Sequence, residues 1–397
     1  KLHREFMMSL SSFFSSSRLA WRQLSYDKVR FLTAVCGVIF ATILISMQLG
    51  FKDCLFQSAT LLQRTVTGQL YMIHQQSEAL WRLVPFPRQR LYSALSIDGV
   101  KDVTAMYAGQ APVKNPINGV NRTALVLGID PHSKVYPFEG LAQQQSVLQM
   151  RDTALFDEFS KPEFGPIKQI IQDKGYLNTE INGIRIQIAG TYKMGITFSA
   201  DGNIITNDIT FFKLFPNKSQ DGVDVGIITL NDGVDPKIVQ AKLQKILPPD
   251  VQLFTKDEYI ADERDYWNKL TPIGFIFNFG AIMGLIVGLV IVYQVLFNDI
   301  TNHLKEYATL KAMGFKNSYF VKAVMTSAVT LATLGFIPGI VIIYGLFNLI
   351  ENTIYIQMPM PVSFVLSNFA LIVAMCLGSA LLAVRKLKSS NPVDIFA

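Results

Sequence analysis

Pro272 to Phe297 reads PIGFIFNFGAIMGLIVGLVIVYQVLF and contains no Asp, Glu, Lys or Arg. A helix rises about 1.5 Å per residue, so about 20 apolar residues cross the roughly 30 Å of hydrocarbon in a bilayer. This run is long enough to span. Three more stretches are free of charge in the same way: Phe31 to Phe51, Ala323 to Ile350, and Asn352 to Val384. Only Glu351 separates the last two, but Met358-Pro359-Met360-Pro361 disfavours a continuing helix and suits a turn outside the lipid. The fourth span therefore falls at Phe364 to Val384. A chain of 397 residues that is 50% hydrophobic and 17% charged agrees with a membrane protein better than with one soluble core.

The basic residues beside the spans give an orientation. Six precede the first span, Lys305, Lys311, Lys316 and Lys322 lie between the second and third, and Arg385, Lys386 and Lys388 follow the fourth. These segments hold 13 basic and 5 acidic residues, whereas the rest of the chain has 23 and 25. By the positive-inside rule both termini and the short basic loop are cytoplasmic. The overall positive charge thus follows from topology, and a nucleic-acid partner is not indicated. The first apolar run is too long, and too far from the start, for a cleaved signal peptide, so it reads as a retained span. Cys36, Cys54 and Cys376 make no disulfide or metal-ligand spacing and read as small packing residues.

The fold expected is a membrane protein of four transmembrane α-helices with a large mixed α/β extracytoplasmic domain between spans 1 and 2. Its segments are a cytoplasmic start (1–30), span 1 (31–51), the domain with a helical stalk (52–271), span 2 (272–297), a cytoplasmic loop (298–322), span 3 (323–350), a short outer loop (351–363), span 4 (364–384) and a cytoplasmic tail (385–397). Within the domain, Val103 to Tyr107, Thr123 to Ile129, Ile184 to Ile188 and Val225 to Leu230 carry strand signals. Asn182-Gly183 marks a hairpin, and Asp235 to Leu247 predicts an amphipathic helix. Lys52 to Leu70 and Lys256 to Leu270 read as stalk helices. For Tyr266 and Trp267 two readings stand, a stalk contact or an interfacial aromatic belt.

No phosphate-cradling G-x-x-x-x-G-K-[ST] is present, nor H-E-x-x-H, G-x-S-x-G or C-x-x-C, and the four histidines are dispersed. This argues against an enzyme, a metal site or a cofactor in this chain. Asn278 and Gln294 in the second span read as interhelical hydrogen-bonding groups. Gly280, Gly284 and Gly288 recur every four residues on one helical face, which allows close approach of another helix, either from the same chain or from a second copy across a dimer axis. In the cytoplasmic loop, Leu304, Tyr307, Leu310 and Met313 recur at helical spacing, with Gly314 as a natural end. That helix either lies on the lipid surface or docks into a groove of a cytoplasmic partner.

Glu306-Tyr307-Ala308-Thr309-Leu310-Lys311-Ala312-Met313-Gly314 resembles the E-x-x-x-L-K-A-x-G signature of the FtsX/MacB superfamily of ABC permeases. Further stretches are similar to its DevC branch: Leu19-Ala20-Trp21-Arg22-Gln23-Leu24, Met47-Gln48-Leu49-Gly50-Phe51, Ala200-Asp201-Gly202-Asn203, Ile273-Gly274-Phe275-Ile276-Phe277 and Asn391-Pro392-Val393-Asp394-Ile395-Phe396. The resemblance implies a permease of an exporter for glycolipid or other hydrophobic cargo, working as a dimer with two copies of a separate ATPase that holds the ATP and Mg. It assigns ATPase coupling to Glu306, Tyr307, Leu310, Lys311, Met313 and Gly314, and contact with a periplasmic adaptor to Tyr71 to Thr255, with an outer-membrane channel reached indirectly. Other members of the superfamily control periplasmic enzymes or release lipoproteins, so those functions, and a sensor or anchor without an ATPase, stand as alternatives.

Overall fold

The computed structural model describes residues 28–198, 200–304, 309, 313–314 and 317–389. They form two compact units. One holds the spans, and the other holds Asp53–Gly274 together with Glu351–Gln357.

In chain order, α1 (Lys28–Ala59) is followed by the short α2 (Leu61–Thr65). Then come β1 (Leu70–His74), β2 (Phe86–Pro87), α3 (Arg88–Ser93), β3 (Val100–Lys114), β4 (Asn121–Ile129), α4 (Gln145–Leu148) and β5 (Thr153–Asp157). Next are α5 (Ile167–Lys174), β6 (Leu177–Ile181), β7 (Ile184–Tyr192), β8 (Gly202–Asn207), α6 (Asp208–Leu214), β9 (Gly222–Val223) and β10 (Val225–Leu230). The domain closes with α7 (Pro236–Ile246), β11 (Val251–Thr255), α8 (Lys256–Asp265) and a π-helical turn over Tyr266–Leu270. The remaining helices are α9 (Pro272–Asn302), α10 (Asn317–Ile354) and α11 (Val362–Ser389).

The inter-span domain is built on a sheet in the order β11-β1-β10-β3-β4-β8-β5-β7-β6. β3 is long because it serves two neighbours: Val100 to Met106 pair with β10, and Tyr107 to Lys114 pair with β4. Its far end also meets β6 at Val113↔Ile181, so β3, β4, β8, β5, β7 and β6 close on themselves. β5 and β8 are buried along their whole length, as strands covered on both faces must be, whereas β6 alternates buried and exposed. Asn182 and Gly183 take φ of +52° and +76°, the backbone that a two-residue hairpin turn demands. The Asp235 side chain accepts the Lys237 N–H at the start of α7 and Pro236 occupies the first turn, so the helix begins where its cap and its fixed φ place it. Strands β3 and β7 extend beyond the apolar runs that mark them in the sequence, because pairing with neighbours continues past the last apolar residue.

The membrane unit has four helices long and apolar enough to cross a bilayer: Phe31–Ala59, Pro272–Asn302, Ser318–Thr353 and Val362–Arg385. Small side chains dominate their shared interior. Ala34, Val38, Ala41 and Ile45 of α1 meet Val292 and Leu296 of α9, and Ala328 and Ala332 of α10 lie in the same cluster as Cys376, Ala380 and Ala383 of α11. The Ser379 hydroxyl donates to the Leu289 carbonyl at 2.9 Å, an interhelical bond that removes a polar group from lipid. Two sequence expectations change here. Cys36 is exposed on the outside of the bundle and does not pack. Gln294 is also exposed, and among the described residues it has no hydrogen-bond partner, whereas Asn278 accepts from the Lys52 ammonium at 2.8 Å.

Candidate functional site: a coupling junction

Glu306, Tyr307, Leu310 and Lys311 of the expected coupling helix lie outside the described residues, as do Leu19 to Leu24 and Asn391 to Phe396. Met313 and Gly314 are described. The Met313 N–H donates to the Thr309 carbonyl at 3.1 Å, one helical turn, and Gly314 then turns to φ +95°, a backbone that favours glycine and stops a helix. Met313 is 64% exposed.

The three glycines of the second span face α1 and α11 of the same chain. A Cβ on Gly280 would lie 2.5 Å from the Gln48 side chain, and one on Gly284 would lie 3.1 Å from Ile45 and 3.3 Å from Leu44. At Gly288 it would meet the Met375 sulfur at 2.5 Å and the Ala41 Cβ at 2.6 Å. The missing side chains let the backbones approach, so contacts that a larger residue would block hold the helices together.

The other site is a junction in the inter-span domain, where the segments leading into the spans converge. α1 continues past its apolar run as far as Ala59, and its Ser58 hydroxyl donates to the Ile196 carbonyl at 2.8 Å. Ile196 belongs to the loop that joins β7 to β8. Buried Asp157, at the end of β5, shapes that loop: its carboxylate accepts the N–H groups of Met194 at 3.1 Å and Gly195 at 3.0 Å. Asn203 completes the frame, donating to Asp157 at 2.9 Å and to the Gly195 carbonyl at 2.6 Å while its own amide oxygen accepts from Thr197. Burial pushes the Asp157 carboxyl above the usual range, and these donors hold it back.

Ala200-Asp201-Gly202-Asn203 thereby acquires a physical role. Besides the Asn203 bonds, Asp201 pairs with Lys161 at 2.6 Å, and a Cβ on Gly202 would meet the Ser160 hydroxyl at 2.6 Å and the Phe164 ring at 2.7 Å.

On its other side the loop touches the segment that enters the second span. Phe198 stands edge-on to Trp267 with ring centroids 4.8 Å apart, and Trp267 packs in turn on Trp81 and Tyr266. The aromatic pair Tyr266 and Trp267 is therefore committed to a cluster inside the domain. Glu263 lies beneath this cluster. It is 3% exposed and accepts from Trp267 Nε1 at 2.8 Å, Gln63 Nε2 at 3.0 Å and the Leu80 N–H at 2.9 Å. Burial raises its carboxyl from 4.5 to about 7, with Asp262 adding to the rise and the three donors opposing it. One carboxylate thus ties α2, the loop before β2 and the segment leading to α9.

The sequence marks Asn203 through its motif and Trp267 through its aromatic pair, but it does not mark Asp157, Glu263 or Ser58. Glu263 sits in a helix rich in charge, KDEYIADERD, where one more carboxylate looks like a solvated face. Only its spacing of four from Trp267 hints at burial. Among the described residues no group of three or more His, Cys, Asp or Glu side chains is placed to hold a metal ion.

Residues 278–392 match the family model described as the FtsX-like permease C-terminal domain. No curated protein matches the chain. Among solved structures, the chain is similar to the periplasmic region of MacB from Actinobacillus actinomycetemcomitans, at 13% identity over 49% of this chain and 92% of that one, with a TM-score of 0.37. It is also similar to the extracellular domain of the noncanonic ABC-type transporter YknZ from Gram-positive bacteria, at 12% identity over 47% of this chain and 99% of that one, with a TM-score of 0.32.

Proposed function

We propose that this chain is the permease subunit of a MacB-like ABC exporter, and that it carries ATP-driven movement from a separate cytoplasmic ATPase dimer to its inter-span domain. The FtsX-like match over 278–392 supports the permease reading. The observation that carries the movement is the unbroken α1. Its 32 residues make a rod about 48 Å long that runs through the first span and ends at Ser58 and Ala59, bonded to the Ile196 loop. A rod of this kind transmits displacement along its axis because its backbone bonds are all internal. The described interior of the bundle fits a transmitting element: its buried polar groups are the hydroxyls and amide of Thr42, Ser46, Ser327, Asn368 and Ser379, with no charged side chain among them. In this reading two copies of the chain pair, the domain engages a periplasmic adaptor and through it an outer-membrane channel, and the cargo is glycolipid or another hydrophobic molecule, as the DevC-like motifs imply. ATP and Mg are held by the ATPase.

The coupling loop provides the test. If Leu310 seats in a groove of the ATPase, Leu310→Asp places a charge in a desolvated contact and costs about 3 kcal/mol, roughly a hundredfold in affinity. Measured in nanodiscs with the ATPase that co-purifies from native membranes, the variant loses both association and stimulated hydrolysis, and Lys305→Ala keeps them. Full retention of both by Leu310→Asp would sink the coupling assignment.

A further inference from the structure

A cavity of about 300 Å³ opens beside the junction, and three separate segments line it. α1 and α2 contribute Gln57, Leu61 and Arg64, the domain contributes Met194 and Ile196, the last turn of α10 contributes Glu351 and the chain leaving it contributes Tyr355. The cavity therefore lies between chain that continues into the first span and chain that continues into the third. Two opposite charges line it. Arg64 donates to the Gln57 carbonyl at 3.3 Å, and among the described residues neither it nor Glu351 has an ion-pair partner. As a sphere, a space of that volume is roughly 8 Å across, a gap that two long side chains can close with a modest shift of either wall.

Glu351 lies in the last turn of α10, so its position follows that of the third-span helix, and the chain beyond it is held at one point. Its far end is pinned, because the Cys54 thiol of α1 donates to the Gln357 carbonyl at 3.4 Å. Between Glu351 and that pin, Tyr355 takes φ +59°, a left-handed backbone rare for a bulky residue, which turns the chain sharply as it leaves α10. A short strap, bent at Tyr355 and fixed at Gln357, thus follows the last turn of α10, and that turn presents the Glu351 carboxylate to the same cavity as the Arg64 guanidinium.

We propose that Arg64 and Glu351 form a latch: the cavity closes and the two residues pair when the third span moves relative to the first, and they separate when it returns. This deepens the permease reading, because the movement that would drive closure is the ATPase stroke. A guanidinium and a carboxylate brought together in a half-enclosed space make a directional contact, so closure gives a defined second state.

Two arms test the latch separately from the ATPase. In the chain alone, reconstituted in nanodiscs with Cys36 and Cys376 replaced by Ala and Cys54 by Ser, whose hydroxyl keeps a donor for the Gln357 carbonyl, the pair Arg64→Cys and Glu351→Cys is expected to cross-link by disulfide within minutes under mild oxidant. The control pair Arg64→Cys and Lys269→Cys is expected not to. With the ATPase bound, trapping the nucleotide state with vanadate is expected to change the cross-linking rate at least fivefold. A charge swap, Arg64→Glu with Glu351→Arg, is expected to restore the nucleotide-dependent protease protection of the strap that either single reversal abolishes. Cross-linking in the chain alone without a nucleotide effect would overturn the link to the stroke and leave the ATPase assignment to be judged by its own test. No cross-link in either arm, or full protection in both single reversals, would overturn the latch itself.

Discussion

Glu263 gives the most direct test of the junction. Its carboxyl titrates near 4.5 in an unfolded chain and is raised to about 7 where it is buried under Trp267, Gln63 and the Leu80 N–H. Burial favours the protonated acid, so the stabilisation from this shift is fully present below pH 4.5 and is lost as the pH rises through 7. A difference of two to three pKa units at about 1.4 kcal/mol each gives a swing of about 3 kcal/mol across that window. Solvent screening takes little from this figure because the group is 3% exposed. Glu263→Gln removes the titration while nearly keeping the shape. Urea unfolding of the full chain in nanodiscs, followed by tryptophan fluorescence, reports on this site because Trp81 and Trp267 are two of the three tryptophans in the chain. Between pH 4.5 and 8 the wild type is expected to lose about 3 kcal/mol relative to Glu263→Gln. Parallel stability curves over that range would show that the carboxylate titrates as in solvent and that the burial argument is wrong.

The glycine face predicts an order of severity. Gly288→Leu is expected to destabilise the bundle most, by about 3 kcal/mol, because Met375 and the Ala41 Cβ already stand where its Cβ would be; Gly284→Leu follows, and Gly280→Ala is mildest because the Gln48 side chain can swing away. Thermal unfolding in detergent ranks them, and equal midpoints for all three would reduce the spacing to coincidence. Topology is checked with an impermeant thiol reagent: a cysteine at Asn182 is expected to be labelled from the periplasm and one at Asn317 is not, and the reverse pattern would invert the orientation.

The membrane half of the fold is legible because hydrocarbon leaves so few options. A charge-free run of sufficient length has to be a helix, and Pro359 and Pro361 mark a turn, so four apolar helices, Phe31–Ala59, Pro272–Asn302, Ser318–Thr353 and Val362–Arg385, form around the four charge-free runs. The strands are legible where burial on one or both faces fixes the apolar pattern, as in β10, which starts and stops with its apolar run. What the sequence conceals is pairing between distant residues. The closure of β3 onto β6 through Val113 and Ile181 depends on two segments separated by two intervening strands, β4 and β5, and leaves no local signal. The same holds for the junction. Ser58, Asp157 and Glu263 are ordinary polar residues in their own neighbourhoods, and only the fold brings the first two to one loop and the third to the Trp267 that packs on it.

The choice of polar groups for that junction has a physical reason. Burying Asp157 and Glu263 is costly, and apolar side chains of similar volume would pack the same space without the penalty. An apolar contact, however, is non-directional and allows one surface to slide on another. The junction instead holds the Ile196 loop by bonds with fixed donors and acceptors: Ser58 from the first-span helix, Asp157 and Asn203 from the sheet, and Phe198 edge-on to Trp267 before the second span. A displacement of α1 by 1 or 2 Å would break a bond of 2.8 Å unless the loop moved with it, so the loop is compelled to follow. In the proposed coupling, this would convert motion of a helix into motion of a sheet-anchored loop without slip. It also gives a reason for Gly202 to precede Asn203, since the space its side chain would need is filled by Phe164 and by Ser160, whose hydroxyl accepts the Asn203 N–H.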